Sequence, residues 1–343
     1  MSKCASVELG FPPIAPLRIG RHALPNVVLL APMSGVTDAA FRRLAHDAGA
    51  GLVITEMVAS EHLVTDKHNA RRRVRDGHAK PFVVQLAGCE AHWMSEGARV
   101  AEAMGADVID INMGCPAKEV TGKLSGSALM RNLDHARLLI AAVIGAATVP
   151  VTLKMRLGWD HASLNAPELA RIAEAEGVQL LTVHARTRCQ FFKGEADWSL
   201  VRRVKQAVRI PVVVNGDIVD PASARIALHA SGADAVMVGR GACGAPWMLG
   251  RIATSLATGA DPGAPALAQQ QGIAIAHVQA QLEQDGPVHG LRNARKHIAW
   301  YLASSGQAED QVKAWRRRLC TSESAPDVLA GLAQFYDQAR EAA

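Results

Sequence analysis

Aromatic residues are scarce in this sequence: Phe, Trp and Tyr together make up 4% of its 343 positions. Long apolar runs are missing too. The longest stretch without Asp, Glu, Lys, Arg or His, Leu138 to Leu153, is rich in Ala and Thr and is interrupted by Gly145 and Pro150, short of the roughly 20 residues a bilayer requires. No membrane span is expected. Cysteine is sparse, with six residues at positions 4, 89, 115, 189, 243 and 320, no CxxC pair and no histidines at metal-ligand spacing. This excludes a disulfide framework and a zinc or iron-sulfur motif, so no metal is expected, and it suits a reducing cytoplasm. The opening MSKCASVELGFPPIAPLRIG lacks an apolar core with a cleavage site and is not read as a secretion signal. What is present is 49% hydrophobic and 20% charged residues, enough to bury one large core and a smaller one. The formal net charge of +5 permits a polyanionic partner without requiring one.

Short β-branched runs alternate with stretches of helical period, the pattern of repeated βα units and a parallel sheet. Strands are predicted at 27–33, 52–57, 82–88, 108–115, 149–156, 180–186, 211–217 and 235–241, with helices such as 92–104, 133–147, 166–176, 200–207 and 221–230 between them. Several strands are apolar almost throughout, as strands buried on both faces should be. Eight units in succession predict an α/β fold, a (β/α)8 barrel, in preference to a doubly wound sheet. After Arg251 the strand signals stop. ATGADPGAPA (256–265) reads as a linker, and helices are expected at 266–284, 288–304, 308–319 and 326–341. The expected division is a catalytic barrel over 1–257 and a small all-α helical-bundle domain over 258–343.

Barrel chemistry sits at the carboxyl ends of the strands, and the residues there form a coherent set. They are Pro32, Met33 and Ser34 on the first strand, Glu56 on the second, Gln85 on the third, Asn112 and Cys115 on the fourth, and Lys154 and Arg156 on the fifth. His184 and Arg186 follow on the sixth, Asn215, Gly216 and Asp217 on the seventh, and Gly239, Arg240 and Gly241 on the eighth. GRGACG (239–244) matches GxGxxG, but it closes the repeat series instead of opening a βαβ unit, so a dinucleotide fingerprint is rejected. The same glycines suit a phosphate cradle formed by the last two βα loops, with Arg240 adding charge. TGKLSG (121–126) lacks the spacing of a P-loop. A phosphate site, an amide at Gln85 and a cation at Lys154 are what flavin mononucleotide needs, because the N1–C2=O edge of its ring becomes anionic on reduction and backbone at 32–34 can face that ring. A sugar-phosphate substrate in the same cradle is the alternative.

The segments APMSGVTDAAFRRLAHDAGAGLVITEMV, DINMGCPAKEVTGKLSGSALM, TLKMR, VHARTRCQFFKGEADW and NGDI…GADAVMVGRGACGAPWML together resemble the tRNA-dihydrouridine synthases, in proportions similar to the bacterial B-type subgroup. The likeness runs over about 18–305, and GLRNARKHIAWYL (290–302) resembles the start of that family's C-terminal helical domain. Two positions depart from it, Phe192 where a tyrosine is expected and Gly122 where a polar or basic residue is common. The resemblance implies an FMN enzyme that reduces the C5=C6 bond of uridine in tRNA, with NADPH as reductant. Hydride adds at C6, conjugated to the C4 carbonyl, and C5 then needs a proton. Cys115, the cysteine of the MGCP motif, is implied as the general acid; a thiol of ordinary pKa is mostly protonated at neutral pH yet can yield its proton. Pro116 would launch the loop 117–130 as a lid over the base. His184 is assigned to the cofactor, Asn112 and Arg186 to the uracil. RNA contacts are expected from RRRVR (71–75), from Arg292, Arg295, Lys296 and His297, and from Lys313 with Arg316 to Arg318, on an enzyme expected to be monomeric. Few aromatics mean few stacking platforms, so phosphate contact and shape should dominate. The rival activities are an FMN-barrel reductase of a free pyrimidine or enone, similar to dihydroorotate dehydrogenase, and a non-catalytic RNA-binding barrel.

Overall fold

The computed structural model describes residues 16–67, 70–74, 79–122 and 124–341; Cys4, Arg75 of the basic run 71–75, and Lys123 lie outside them. A hairpin of β1 (Arg18–Ile19) and β2 (His22–Ala23) leads into one parallel sheet. Its strands are β3 (Val28–Leu30), β4 (Leu52–Val53), β5 (Val58–Ala59), β6 (Val83–Ala87), β7 (Val108–Met113), β8 (Val151–Arg156), β9 (Leu180–His184), β10 (Val212–Asn215) and β11 (Ala235–Val238). The spatial order is β4-β3-β11-β10-β9-β8-β7-β6-β5, and its ends meet. Ile54 bridges to Val83 of β6, and the Thr55 N–H donates to the Val83 carbonyl at 3.1 Å. The sheet is therefore the predicted closed barrel of eight units. Its second strand, expected to run unbroken over 52–57, is split: β4 and Ile54 form the lower part and β5 the upper, with Met57 between them turned toward the barrel mouth.

Around the sheet lie α1 (Ala39–Asp47), α2 (Ser60–Thr65), α3 (Ala70–Arg73), α4 (Ala91–Ala103), α5 (Lys118–Thr121), α6 (Leu133–Ala146), α7 (Ala166–Glu176), α8 (Trp198–Lys205), α9 (Pro221–Ser231) and α10 (Met248–Thr258). Polar side chains start several of them. Asp38, Asn132, Asp197 and Asp220 each accept a backbone N–H of the first turn, which would otherwise lack a partner.

Both faces of the strands are buried, which explains their continuous hydrophobicity. Outward residues such as Val84, Ile109, Ile111, Leu153, Leu181 and Val214 pack under the helices. Inward residues Leu29, Leu52, Ile54, Val83, Val108, Leu180, Val213 and Met237 form a separate cluster with Leu17, Ile19 and Leu24 of the hairpin segment. The hairpin thus plugs the amino-terminal end of the barrel. Toward the carboxyl end the inward positions turn polar, and the site is built there.

A helical region follows: α11 (Leu267–Ser304), α12 (Glu309–Thr321) and α13 (Ala325–Glu341). Within α11 the two helices expected at 266–284 and 288–304 are both present, parted at Gly286 (φ 77°, ψ 170°) ahead of Pro287, which has no N–H to continue the ladder; the chain reverses there, so that His277 of the first half lies 2.9 Å from Tyr301 of the second. These helices enclose their own core of Val278, Leu291, Ile298, Tyr301, Trp315, Leu319, Phe335 and Tyr336, joined by Ala245 and Trp247 from the loop after the last barrel strand. Among the described residues no helix is long and apolar enough to cross a membrane.

Helix α10 links the two cores, and Gly250 lets it pass close to the α1–β4 turn: an added Cβ would stand 1.9 Å from the Ala48 carbonyl oxygen. Gly250→Ala is expected to destabilise the protein by roughly 1–3 kcal/mol through overpacking, read as a fall of several degrees in the thermal unfolding midpoint; an unchanged midpoint would contradict this packing.

Candidate active site

A cavity of about 700 Å³ opens at the carboxyl ends of the strands. It gathers residues from across the chain that the sequence placed at strand ends: Pro32, Met33 and Ser34 after β3, Gln85 on β6, Asn112 and Cys115 at and after the end of β7, and Lys154 on β8. His184 on β9, Asn215, Gly216 and Asp217 at the end of β10, and Gly239 and Arg240 after β11 complete the set. The parallel register explains the convergence. Gln85 stands level with Asp110, Asp110 with Thr152, Asn112 with Lys154, and Asn215 with His184, so residues two apart on each strand point inward together.

These inward side chains form a continuous hydrogen-bonded layer. Asp110 accepts from Gln85 Nε2 and from Thr152 Oγ1, both at 2.6 Å. Gln85 Oε1 in turn accepts from Asn112 Nδ2 at 2.9 Å, and Asn112 Oδ1 accepts the backbone N–H groups of Gly114 (3.2 Å) and Cys115 (3.0 Å). Across the barrel, Lys154 Nζ donates to Asn215 Oδ1 at 3.3 Å, while Asn215 Nδ2 is held by the Met237 carbonyl at 2.8 Å. Each amide is fixed by its neighbours, so its orientation is set before any ligand arrives.

The cavity is electropositive. Lys154, Arg156 and Arg240 line it and Arg186 lies directly behind, against two carboxylates, Asp110 and Asp217. Burial, reinforced by Arg156, pulls the Lys154 ammonium down to about 8. Burial and then the charges of Arg156, Lys154, Arg186 and Arg240 hold His184 well below the usual imidazole range, so the ring is neutral. Burial lifts Asp110 above the ordinary carboxylate value. Asp217, which burial alone would raise, is held low by Arg186 and Arg240, the latter at 3.1 Å. This surplus of positive charge in a water-poor chamber favours an anionic ligand. The turns after β10 and β11 are closely packed: a Cβ on Gly216 would lie 2.9 Å from the His184 ring, and one on Gly241 2.7 Å from the Ile218 carbonyl oxygen. Backbone can therefore approach a ligand without side chains in the way. The geometry and charge fit a phosphate-bearing planar cofactor with its phosphate at these turns and its ring over Gln85, Asn112 and Lys154.

Cys115 stands on the cavity wall, partly exposed, with its thiol pushed above the ordinary value by burial. Its carbonyl accepts from the N–H and the hydroxyl of Ser127, at 3.0 and 2.8 Å, which ties down the far end of the loop that begins at Pro116. That loop, expected over 117–130 as a lid, contains α5 and a 3-10 turn, Gly126–Arg131, with Ala128, Leu129 and Met130 buried.

Some expected contacts fall elsewhere. Arg186 does not line the cavity. It is buried, with its guanidinium donating to the carbonyls of Lys193 (3.2 Å) and Gly194 (2.6 Å) and to Asp217. Arg292, Arg295 and Lys296, expected at the RNA and not at the cavity, lie on the second half of α11; Arg292 is exposed, and the Arg295 Nη2 donates to the Ser322 carbonyl at 3.2 Å. Asp110 and Thr152 were not foreseen, although Asp110 lies two residues before Asn112, on the same strand face. Arg156 was named only as a strand-end residue; its guanidinium donates to the carbonyls of Gly114, Thr187 and Phe191 at 2.8–2.9 Å and stands 5.4 Å from the Phe192 ring. Phe191 and Phe192 come from a loop with no periodicity to mark them. A second cluster, Asp38, His277 and His297, joins residues more than 200 positions apart and left no local motif.

Comparison with known proteins supplies independent information. The family described as Dihydrouridine synthase (Dus) matches residues 29–340. A probable tRNA-dihydrouridine synthase of Rhizobium leguminosarum bv. phaseoli is 53% identical over 277 residues, covering 81% of this chain and 85% of that protein. The tRNA-dihydrouridine synthase B of Escherichia coli (strain K12) is 42% identical over 322 residues, covering 94% and 99%. Among solved structures, morphinone reductase superposes with a TM-score of 0.51 at 16% identity over 70% of this chain and 88% of that one. Histamine dehydrogenase from Rhizobium sp. 4-9 gives 0.55 at 15% identity, over 95% of this chain and 64% of that one. The structural likenesses establish the barrel, and the sequence matches span it and the helices beyond it; the chain belongs to the dihydrouridine synthase family.

Proposed function

We propose that this protein is a flavin-dependent tRNA-dihydrouridine synthase that reduces the C5=C6 bond of uridine in tRNA, with FMN as cofactor and NADPH as reductant. The observation that carries the reading is the placement of one thiol, Cys115, on the wall of an electropositive cavity floored by fixed amides and a buried ammonium. Bound in the cavity, FMN would supply the hydride delivered to uracil C6.

The chain's own residues do the rest. Gln85 and Lys154 would hold the pyrimidine edge of the ring, with the ammonium there to offset negative charge, and Asn112, expected at the uracil, is bonded to Gln85 and would serve that edge instead. Gly216, Gly239 and Arg240 hold the phosphate, with Asp217 keeping Arg240 in place. Cys115 gives a proton to uracil C5: the S–H bond breaks, a C–H bond forms, and the thiolate is reprotonated from solvent. Its raised pKa keeps the proton on sulfur until carbanion character develops at C5. His184, neutral, is a hydrogen-bonding group beside the ring instead of a second cation. Arg186 acts indirectly, by holding Asp217 and the 193–194 loop. A uridine reaches this depth only if it leaves its stack, at a cost of a few kcal/mol. Contacts to phosphates, from exposed Arg292, Arg316 and Arg317 on the helices of residues 258–343, offset that cost.

Three outcomes test the reading. Cys115→Ala is expected to retain flavin colour and tRNA binding while dihydrouridine formation on unmodified tRNA falls by roughly 100-fold or more; near wild-type turnover would remove the thiol from the acid role. Lys154 is charged below about 8 and neutral above, so FMN affinity of the cofactor-free protein should fall about tenfold between pH 7 and 9. Quenching of flavin fluorescence measures this, and Lys154→Met should flatten the curve at the weak-binding level. Affinity for tRNA should drop by an order of magnitude or more between 50 and 200 mM salt, roughly as counterion release requires; a flat response in filter binding would contradict phosphate contact by the helices.

A further inference from the structure

We propose that Asp38, His277 and His297 form a binding site for a divalent transition ion of the zinc class, joining the first βα loop of the barrel to the two opposed halves of α11. One donor atom from each of the three residues lies within 4.8 Å of the others. His277 and His297 are fully enclosed, at 0% and 1% exposure. The His277 Nε2 is 3.8 Å from Asp38 Oδ2, too long for a hydrogen bond but close to the edge, roughly 3.4 Å, of a tetrahedron built on bonds of 2.0–2.1 Å.

The hydrogen bonding around the cluster points to a missing occupant. His277 Nε2, both ring nitrogens of His297 and the Gln281 Oε1 are buried without a hydrogen-bond partner. Unpaired buried polar atoms are costly and uncommon, and here three of them belong to the two imidazoles of the cluster and the fourth to Gln281, whose Nε2 is bonded to Asp38. A plain ion pair between Asp38 and His277 would leave both nitrogens of His297 unsatisfied. A cation held by three side chains, with Gln281 Oε1 or a water as fourth ligand, accounts for the convergence.

The surroundings resemble the outer shell of a metal site. The Tyr301 hydroxyl lies 2.9 Å from His277 Nδ1, which leaves Nε2 for the ion. Asp38 is oriented by the Phe41 N–H at 2.9 Å and Gln281 Nε2 at 2.7 Å. Phe41 packs tilted against both imidazoles and Trp300 edge-on against His297, at 5.2–5.6 Å between ring centres. Two imidazoles and one carboxylate are borderline donors that suit Zn²⁺ over Mg²⁺ or Ca²⁺. The ion would brace the cofactor wall, because Thr37, beside Asp38, accepts the Met33 N–H at 2.9 Å.

The test uses full-length protein without a polyhistidine tag, purified without chelator and analysed by inductively coupled plasma mass spectrometry. About one equivalent of zinc per chain is expected. After chelator treatment and dialysis, micromolar Zn²⁺ should raise the thermal midpoint by several degrees, and Co²⁺ should produce the visible absorption of a tetrahedral centre. His297→Ala should lose both responses, and His297→Cys, which keeps a ligand, should restore metal binding with a sulfur-to-cobalt charge-transfer band. Wild-type protein that carries no metal and responds to neither ion overturns the proposal whether or not the variants fold, and so does a response undiminished in His297→Ala.

Discussion

The carboxylate of Asp110, buried at the heart of the barrel, is the constraint on which the site rests. A charged group there is expensive unless its oxygens are occupied, and Gln85 and Thr152 occupy them. In doing so the carboxylate takes the amide N–H of Gln85, which leaves Oε1 to receive Asn112, whose own oxygen then clamps the backbone at Gly114 and Cys115. One desolvated acid therefore dictates which way two amides point and where the cysteine backbone sits. The chain is directional, from an interior floor to a reactive wall, and each link is set by the one below it.

The electrostatics follow the same logic from the opposite side. Strand β8 alternates Thr152, Lys154 and Arg156 on its inward face, which brings an ammonium and a guanidinium into one chamber. Their mutual repulsion, added to desolvation, leaves the lysine loosely protonated and the nearby imidazole uncharged. Such an arrangement is unfavourable on its own and is relieved by a bound anion. Destabilised charge is one way a pocket stores affinity for its ligand.

The barrel was legible because every strand is bounded by turn residues and buried on both sides, so the hydrophobic pattern repeats with little ambiguity. The strand-end residues were legible for a topological reason: a parallel barrel sends all its carboxyl ends to one face, and a polar residue terminating each run is a simple thing to count. Asp110 was missed because it sits inside an apolar run, where a single acid looks like an interruption. The split of the second strand at Glu56 and Met57 left no turn signal, whereas the parting of the two halves of α11 was marked by Gly286 and Pro287 and falls where the helices were expected to end and begin. Arg186 illustrates a different limit. Sequence reveals that a side chain is basic, but not that local carbonyls have already claimed its hydrogens. The cluster of Asp38, His277 and His297 was invisible because it forms only when the helical tail folds back over the first loop.

The hairpin that closes the amino-terminal end of the barrel has a kinetic corollary. With Leu17, Ile19 and Leu24 stoppering that side, the chamber that the described residues form is a well whose doorway lies at the carboxyl ends of the strands. Under the proposed chemistry, the nicotinamide that loads electrons and the nucleobase that receives them must queue for that doorway, one leaving before the other enters. Turnover would then proceed as two alternating half-cycles, and each visitor would compete with the other for the same threshold.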